Sequence, residues 1–396
     1  MSIDELVQLD AEHIMQTYAR LPVAFVRGEG TRLWDSEGNE YLDFLGGLAV
    51  VSLGHAHPAV ADAIAEQART LLHVSNLYYN DVQPRLGARL DALLGGGGRV
   101  FFANSGAEAN ECAIKLARRY GQTNGGLERH HILSTYGSFH GRTLTTLAAT
   151  GQPQKQETFQ PLPSGFRQVV YGDADELAAA MDERVCAVMV EAVQGEGGVI
   201  PAPDGYLEAL RARCHEREAL LIVDEVQAGL GRTGRWFGFE HAGIAPDVVT
   251  MAKALGNGMP IGACWARADV AGVFRPGDHA TTFGGQPLAA RAALAVLDVM
   301  EAEDIPVRAA RAGERLAAGL AALPGVAEVR GHGLLLAAEL DEGIDAAAVA
   351  GALLRAGLVV NAVTPTALRL EPPLLVSDAE IDAALAIVRA VLTEAQ

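Results

Sequence analysis

Two apolar runs in this chain end on residues that can do chemistry. Ala219-Leu220-Leu221-Ile222-Val223 runs straight into Asp224-Glu225-Val226-Gln227, and Asp247-Val248-Val249-Thr250-Met251-Ala252 ends at Lys253. Short apolar runs of this length read as buried parallel strands. The carboxyl ends of such strands are where open α/β sheets place their ligands. An acid and an amine would therefore meet at one sheet edge. A capping or loop acid is the plain alternative for Asp224, and a solvated amine is the alternative for Lys253. The chain has only three lysines, Lys115, Lys155 and Lys253. Lys115 lies in a charged helical pattern and Lys155 in the polar run Gln152 to Glu157. Only Lys253 follows an apolar strand and precedes a glycine-rich loop, Gly256-Asn257-Gly258. Desolvation there would depress its pKa and leave an amine able to form a Schiff base.

Asn104-Ser105-Gly106-Ala107-Glu108-Ala109-Asn110 follows the apolar run Val100-Phe101-Phe102 and opens a helical pattern with Ala109, Ala113, Leu116, Ala117 and Tyr120 on one face. Free backbone N–H groups and the helix dipole favour an anion at such a start, and Ser105 adds a hydroxyl. An ordinary capped helix is the alternative. No Gly-Lys-Ser/Thr follows, so the site suits a single phosphate. Gly229-Leu230-Gly231-Arg232-Thr233-Gly234 matches a dinucleotide fingerprint in letters only, because Asp224 to Ala228 separate it from its strand. Gly95-Gly96-Gly97-Gly98 precedes a strand and opens no helix. One phosphate, one amine and one buried acid together suggest pyridoxal 5′-phosphate, with the acid facing the ring nitrogen.

At this point the chain resembles the class III aminotransferases of pyridoxal-phosphate fold type I. The likeness rests on Gly54-His55-Ala56-His57-Pro58, Asn104 to Asn110, Phe139-His140-Gly141-Arg142-Thr143, Gln194-Gly195-Glu196-Gly197-Gly198, Asp224 to Gln227, Gly231 to Gly234, Lys253 and Thr281-Thr282-Phe283-Gly284-Gly285. Ala192 and Gln286 stand where relatives commonly have proline and asparagine. The resemblance implies that Lys253 carries the cofactor and moves the proton, with Asp224 as the second catalytic group. It implies that Gln227 bonds the ring hydroxyl and that Phe139 and Val226 sandwich the ring. Ser105, Gly106 and Ala107 would hold the phosphate, Glu225 would join the cofactor contacts, and Thr282 would reach the phosphate of a partner subunit. Arg142 would clamp a substrate carboxylate, with Thr281 and Tyr18 as further substrate contacts. Glu196 would cover Arg369 for one substrate and release it for the other. The implied reaction is amino transfer between N2-acetyl-L-ornithine and 2-oxoglutarate in arginine biosynthesis. Ornithine, succinylornithine, succinyl-diaminopimelate and 4-aminobutyrate remain alternative amine donors. The resemblance also implies a homodimer with shared active sites. A silent cofactor-binding scaffold is the reading from another class, against which Lys253, Asp224 and Arg142 stand intact.

The elements that must position these residues follow from the pattern. Short runs near Val23–Arg27, Thr31–Trp34 and Tyr41–Phe44 read as an antiparallel meander after a peripheral helix. Residues 98–267 alternate apolar runs with amphipathic stretches, which predicts a mostly parallel central sheet with helices on both faces. Residues 287–315 read as one long helix, followed by strands near Leu334–Leu336 and Leu358–Val360. A capping box, Ser377-Asp378-Ala379-Glu380, opens the last helix. The expected division is a small-domain segment at 1–56, a large cofactor-binding domain at 57–286, and the rest of the small α+β domain at 287–396. The length of 396 residues suits this pair of domains. The formal net charge of −18 disfavours a nucleic-acid partner. No apolar run is long enough to span a bilayer, and the acidic N-terminus carries no signal core. Four dispersed cysteines give no metal spacing and predict reduced thiols in a cytoplasmic protein.

Overall fold

The computed structural model describes residues 2–395. Its centre is a seven-stranded sheet. In spatial order the strands are Gly98–Ala103, Gly262–Arg267, Val248–Met251, Leu220–Asp224, Val185–Glu191, His131–Thr135 and Phe166–Val169. All neighbours are parallel except Gly262–Arg267, which runs antiparallel to both of its partners. Every residue of Val185–Glu191 and Leu220–Asp224 is buried, which explains their unbroken apolar runs. The two-residue period divides them between two layers. Leu220 and Ile222 pack with Ala113, Ile114 and Ala117 of helix Gly106–Gly125. Leu221 and Val223 face the larger core that includes Leu207, Leu210, Ala293 and Leu297. Each fully buried Leu, Ile or Val contributes about 1.5–3 kcal/mol, so both faces are needed to hold these strands.

Register sets what reaches the sheet edge. Asp224 pairs with Glu191 on one side and Thr250 on the other. Three polar side chains therefore end level, beside the turn that carries Lys253. The parallel sheet with helices on both faces agrees with the sequence reading.

Both chain ends build the flanking unit. Phe25–Glu29, Arg32–Asp35 and Glu40–Asp43 form the antiparallel meander, and Leu358–Val359 adds to it in parallel. A second four-stranded sheet joins Val326–His332, Leu335–Leu340, Ala367–Leu370 and Asn361–Ala362. The single long helix expected at 287–315 is instead two, Pro287–Ala302 and Ile305–Ala321. Asp304 breaks it with a φ of 48°, and Pro306 then sits in the first turn of the second helix. The expected capping box forms: the Glu380 N–H donates to Ser377 Oγ at 3.3 Å, and the Ser377 N–H to Glu380 Oε2 at 2.9 Å. Among the described residues no helix is long and apolar enough to cross a membrane.

The Gly229–Gly234 stretch is a clamp onto the C-terminal part of the chain rather than a dinucleotide loop. Arg232 is fully buried and donates to the carbonyls of Leu334 at 3.2 Å and Pro372 at 2.5 Å. Gly333 packs against this clamp with a φ of 53°, and a Cβ there would lie 2.5 Å from the Thr233 carbonyl carbon. Burial depresses the Arg232 guanidinium to about 10. Arg232→Met keeps the length but leaves two buried carbonyls unpaired. We expect a loss of about 2–4 kcal/mol, read as a lower urea midpoint. A shift no larger than that of an exposed-arginine control would show that the clamp does not hold that part of the chain.

Candidate active site

A cavity of about 460 Å3 opens at the carboxyl ends of the central strands. Asp224 forms its floor with 4% of its surface exposed. Its Oδ2 accepts from Asn110 Nδ2 at 2.7 Å and lies 2.8 Å from His140 Nδ1. Its Oδ1 accepts the Val226 N–H at 3.0 Å. Asn110 also donates to the His140 carbonyl and accepts from Thr250 Oγ1. The carboxyl is thus held on both oxygens at the cavity lining.

Lys253 follows strand Val248–Met251 and is half-buried at the cavity wall. Its φ of 41° is left-handed, a conformation that costs a non-glycine residue about 1–3 kcal/mol. Burial pulls its amine below the usual lysine range, against the opposing pull of Glu371 and Glu196. Ser105 caps helix Gly106–Gly125 and takes the Glu108 N–H at 3.2 Å. The first N–H groups of the helix have no partner within it. Gly106 lies against Val226, and a Cβ there would fall 2.7 Å from Val226 Cγ1. Ser105, Gly106, Ala107, Phe139, Arg142, Val226, Gln227 and Lys253 all line this one cavity with Asp224. A phosphorylated, ring-nitrogen aldehyde fits that donor set: free N–H groups at one end, a buried acid at the floor, an uncharged-prone amine on the wall.

The mouth is ionic. Arg142 is exposed, with its guanidinium 5.7 Å from the centroid of the Phe139 ring. Arg369 is 1% exposed and donates to Glu196 Oε1 at 2.6 Å and Asn361 Oδ1 at 3.2 Å. Its Nε lies 3.5 Å from Glu371 Oε2. Burial alone would lower Arg369, but Glu371 and Glu196 outweigh it and raise it. Burial alone would raise Glu196, but Arg369 outweighs it and holds its carboxyl below the usual range.

A family model described as "Aminotransferase class-III" matches residues 14–392. The chain belongs to the class III aminotransferases. It is 49% identical to an acetylornithine aminotransferase of Caldanaerobacter subterraneus subsp. tengcongensis over 98% of this chain and 99% of that protein. It is 51% identical to one from Gloeobacter violaceus over 96% of each. A solved ornithine aminotransferase from Toxoplasma gondii superposes with a TM-score of 0.95 at 35% identity, covering 100% of this chain and 96% of that one. Another structure from the same organism reports partial occupancy of PLP at its active site, with a TM-score of 0.95, 35% identity, and coverage of 100% and 95%.

Not every residue expected at this aminotransferase site is in the cavity. Glu225 turns away from it and accepts the N–H groups of Gly238 and Phe239, both at 2.9 Å. Tyr18 is 73% exposed and lies beneath the Arg20 guanidinium, apart from the cavity. Thr282 is exposed and lines no part of the cavity within its own chain, while Thr281 Oγ1 accepts from Asn104 at 3.3 Å. Asn110, Glu191, Glu371 and Lys155 were missed. Glu191 ends a buried strand just as Asp224 does, and that signal was available. Its carboxyl takes the Phe139 N–H at 3.0 Å and is pushed well above the usual range by burial and by Asp224. Lys155 is half-buried over the Phe139 ring at 5.1 Å rather than solvated in a polar run. Burial lowers its amine.

Burial also raises Glu225, to about 8 from 4.5, despite its two backbone donors. The folded chain then keeps a proton that the unfolded chain has lost, so stability falls as pH rises between those values. Glu225→Gln removes that part of the fall, on the order of a few kcal/mol, while Glu191 still contributes its own. Urea midpoints at pH 5 and pH 8 check this. Parallel shifts for the wild type and Glu225→Gln would show that the carboxyl does not titrate in that window.

Proposed function

We propose that this aminotransferase moves the terminal amine of N2-acetyl-L-ornithine to 2-oxoglutarate, and runs physiologically toward acetylornithine with glutamate as donor. Its cofactor on this reading is pyridoxal 5′-phosphate, and its setting is arginine biosynthesis in the cytoplasm. The observation that carries the reading is the Glu196–Arg369 pair beside Lys253. Two donors share one site. Acetylornithine presents an amine with no carboxylate on the same carbon, whereas glutamate presents one beside it. A buried arginine that a half-buried glutamate covers suits both, because the cover suppresses the wrong carboxylate and its removal admits the right one. Relatives at about half identity that carry the acetylornithine name support the same donor.

Each residue then has physical work. Bound pyridoxal phosphate supplies the electron sink for amine chemistry. Asp224, which accepts from Asn110 and lies beside His140, would face the ring nitrogen of the bound cofactor. Lys253, with its depressed pKa, takes and returns the substrate's proton at Nζ. Gln227 would bond the ring hydroxyl, and Phe139 and Val226 would cover the ring and keep water from it. Arg142 forks onto the far carboxylate of either substrate. Glu191, held neutral, adds no second charge beside Asp224.

Mixing the cofactor-loaded protein with one amine at a time tests the reading. Acetylornithine and glutamate should each convert aldehyde absorbance to amine absorbance, and ornithine, succinylornithine and 4-aminobutyrate should do so less efficiently. A faster conversion by one of those three would replace the proposed donor. Borohydride followed by peptide mapping should place the cofactor on Lys253, and label on Lys115 or Lys155 would overturn that assignment.

We also infer a homodimer with shared sites. Leu71, Leu72, Leu77, Tyr78, Tyr79 and Phe283 are exposed near Thr282, and Asn76 ties the two segments by donating to the Thr281 and Gly284 carbonyls. Co-expressing Lys253→Ala with Thr282→Ala gives a hybrid dimer. If Thr282 serves its partner's phosphate, one hybrid site keeps both groups and binds cofactor with wild-type affinity. A titration with no wild-type class in the hybrid would rule out sharing.

A further inference from the structure

Glu371 follows strand Ala367–Leu370 and is fully buried. Its Oε1 takes Gln227 Nε2 at 2.7 Å, and its Oε2 lies 3.5 Å from Arg369 Nε with no hydrogen-bond partner among the described residues. A buried carboxyl oxygen left in this state is costly and calls for a reason. Its backbone N–H is tied to the Phe44 carbonyl at 2.7 Å, and Pro372-Pro373 follow it, so the group is fixed. Glu196 differs. It is half-buried and flanked by Gly195 and Gly197.

We propose that Glu371 is a specificity-determining residue acting through Arg369: a permanent counter-charge that weakens the arginine's hold on a substrate carboxylate. The inference rests on the two-donor reading above. When Glu196 withdraws, Arg369 is still faced by Glu371, so an incoming carboxylate meets a partly neutralised cation and a like charge behind it. Asn361 holds the same Nε at 3.2 Å, so Arg369 keeps its place without Glu371. The net effect biases the site toward amines that carry no adjacent carboxylate. Glu371 also fixes the orientation of Gln227, because only the amide NH2 can face a carboxylate.

Glu371→Gln removes the charge and keeps an acceptor for Gln227. Separate half-reactions should show the ratio of glutamate to acetylornithine kcat/KM rising about tenfold, as loss of a buried like charge predicts. Glutarate, a dicarboxylate without an amine, should bind about tenfold tighter by cofactor absorbance titration. In an Arg369→Gln background the same change should leave glutarate affinity unmoved. An unchanged or lowered ratio, or a glutarate effect that persists without Arg369, would overturn the proposal. Should Glu371→Gln yield no folded protein, Glu371→Ala, which leaves room for water beside Gln227, carries the same outcomes. A wild-type protein that converts neither amine overturns both readings. One that converts both, with the ratio unmoved in the variant, overturns only the role of Glu371.

Discussion

Asp224 is a carboxylate at the bottom of a cavity, and a charge in that position is costly unless donors are built around it. The donors come from different parts of the chain. Asn110 stands on helix Gly106–Gly125, and His140 comes from the loop after strand His131–Thr135. Thr250, on the neighbouring strand, holds Asn110 in turn at 2.7 Å. Holding this one carboxyl therefore ties the helix, the loop and two strands to one another. The same helix presents its first turn to the cavity, so the group that steadies the floor acid also sets the height of the anion site. A slip of one residue in strand Leu220–Asp224 would turn Asp224 to the other face and separate the two.

The backbone at Lys253 carries the opposite kind of cost. Asp224 is stabilised by its surroundings, whereas Lys253 adopts a left-handed φ of 41° at the end of a wholly buried strand. An extended backbone would carry the chain on in line with the sheet. The left-handed turn instead lays Ala254 and Leu255 into the core and leaves the amine on the cavity wall. The packing of those two residues compensates the strain, since each buried apolar side chain is worth a comparable amount.

Much of this was legible in the sequence, for identifiable reasons. Strand Leu220–Asp224 is buried on both faces and so announces itself as an apolar run, and the helix after Ser105 announces itself by its cap and period. The break at Asp304 did carry a sequence signal, Pro306, which has no N–H to donate and fits only the first turn of a helix, and the single-helix reading passed over it. Glu225 was misplaced because an acidic pair after a strand does not say which member turns inward. The two-residue alternation decides it: Asp224 faces the cavity, so Glu225 turns to the Gly238 and Phe239 amides. Tyr18 was assigned by likeness alone, with no local pattern to orient it. Glu371 escaped notice because its strand, Ala367–Leu370, is short and contains a charged residue, which masks its burial.

Carboxyl groups of the same chemistry end up in different states within this small volume. Glu196 is held charged because its partner is an arginine. Glu191 is pushed toward its neutral form by burial first and by the neighbouring Asp224 carboxyl second. Glu225 is raised to about 8 because two backbone donors offset only part of its burial. Position at a strand end does not decide it, since Glu191 and Asp224 share that position. It lies in the balance of burial, donors and neighbouring charge at each carboxyl. Asp224 has Asn110 and His140, whereas Glu191 has the Phe139 amide and a like charge beside it. With Glu191 pushed toward its neutral form and Asp224 held by Asn110 at the cavity lining, Asp224 is the carboxyl placed to meet one ring nitrogen.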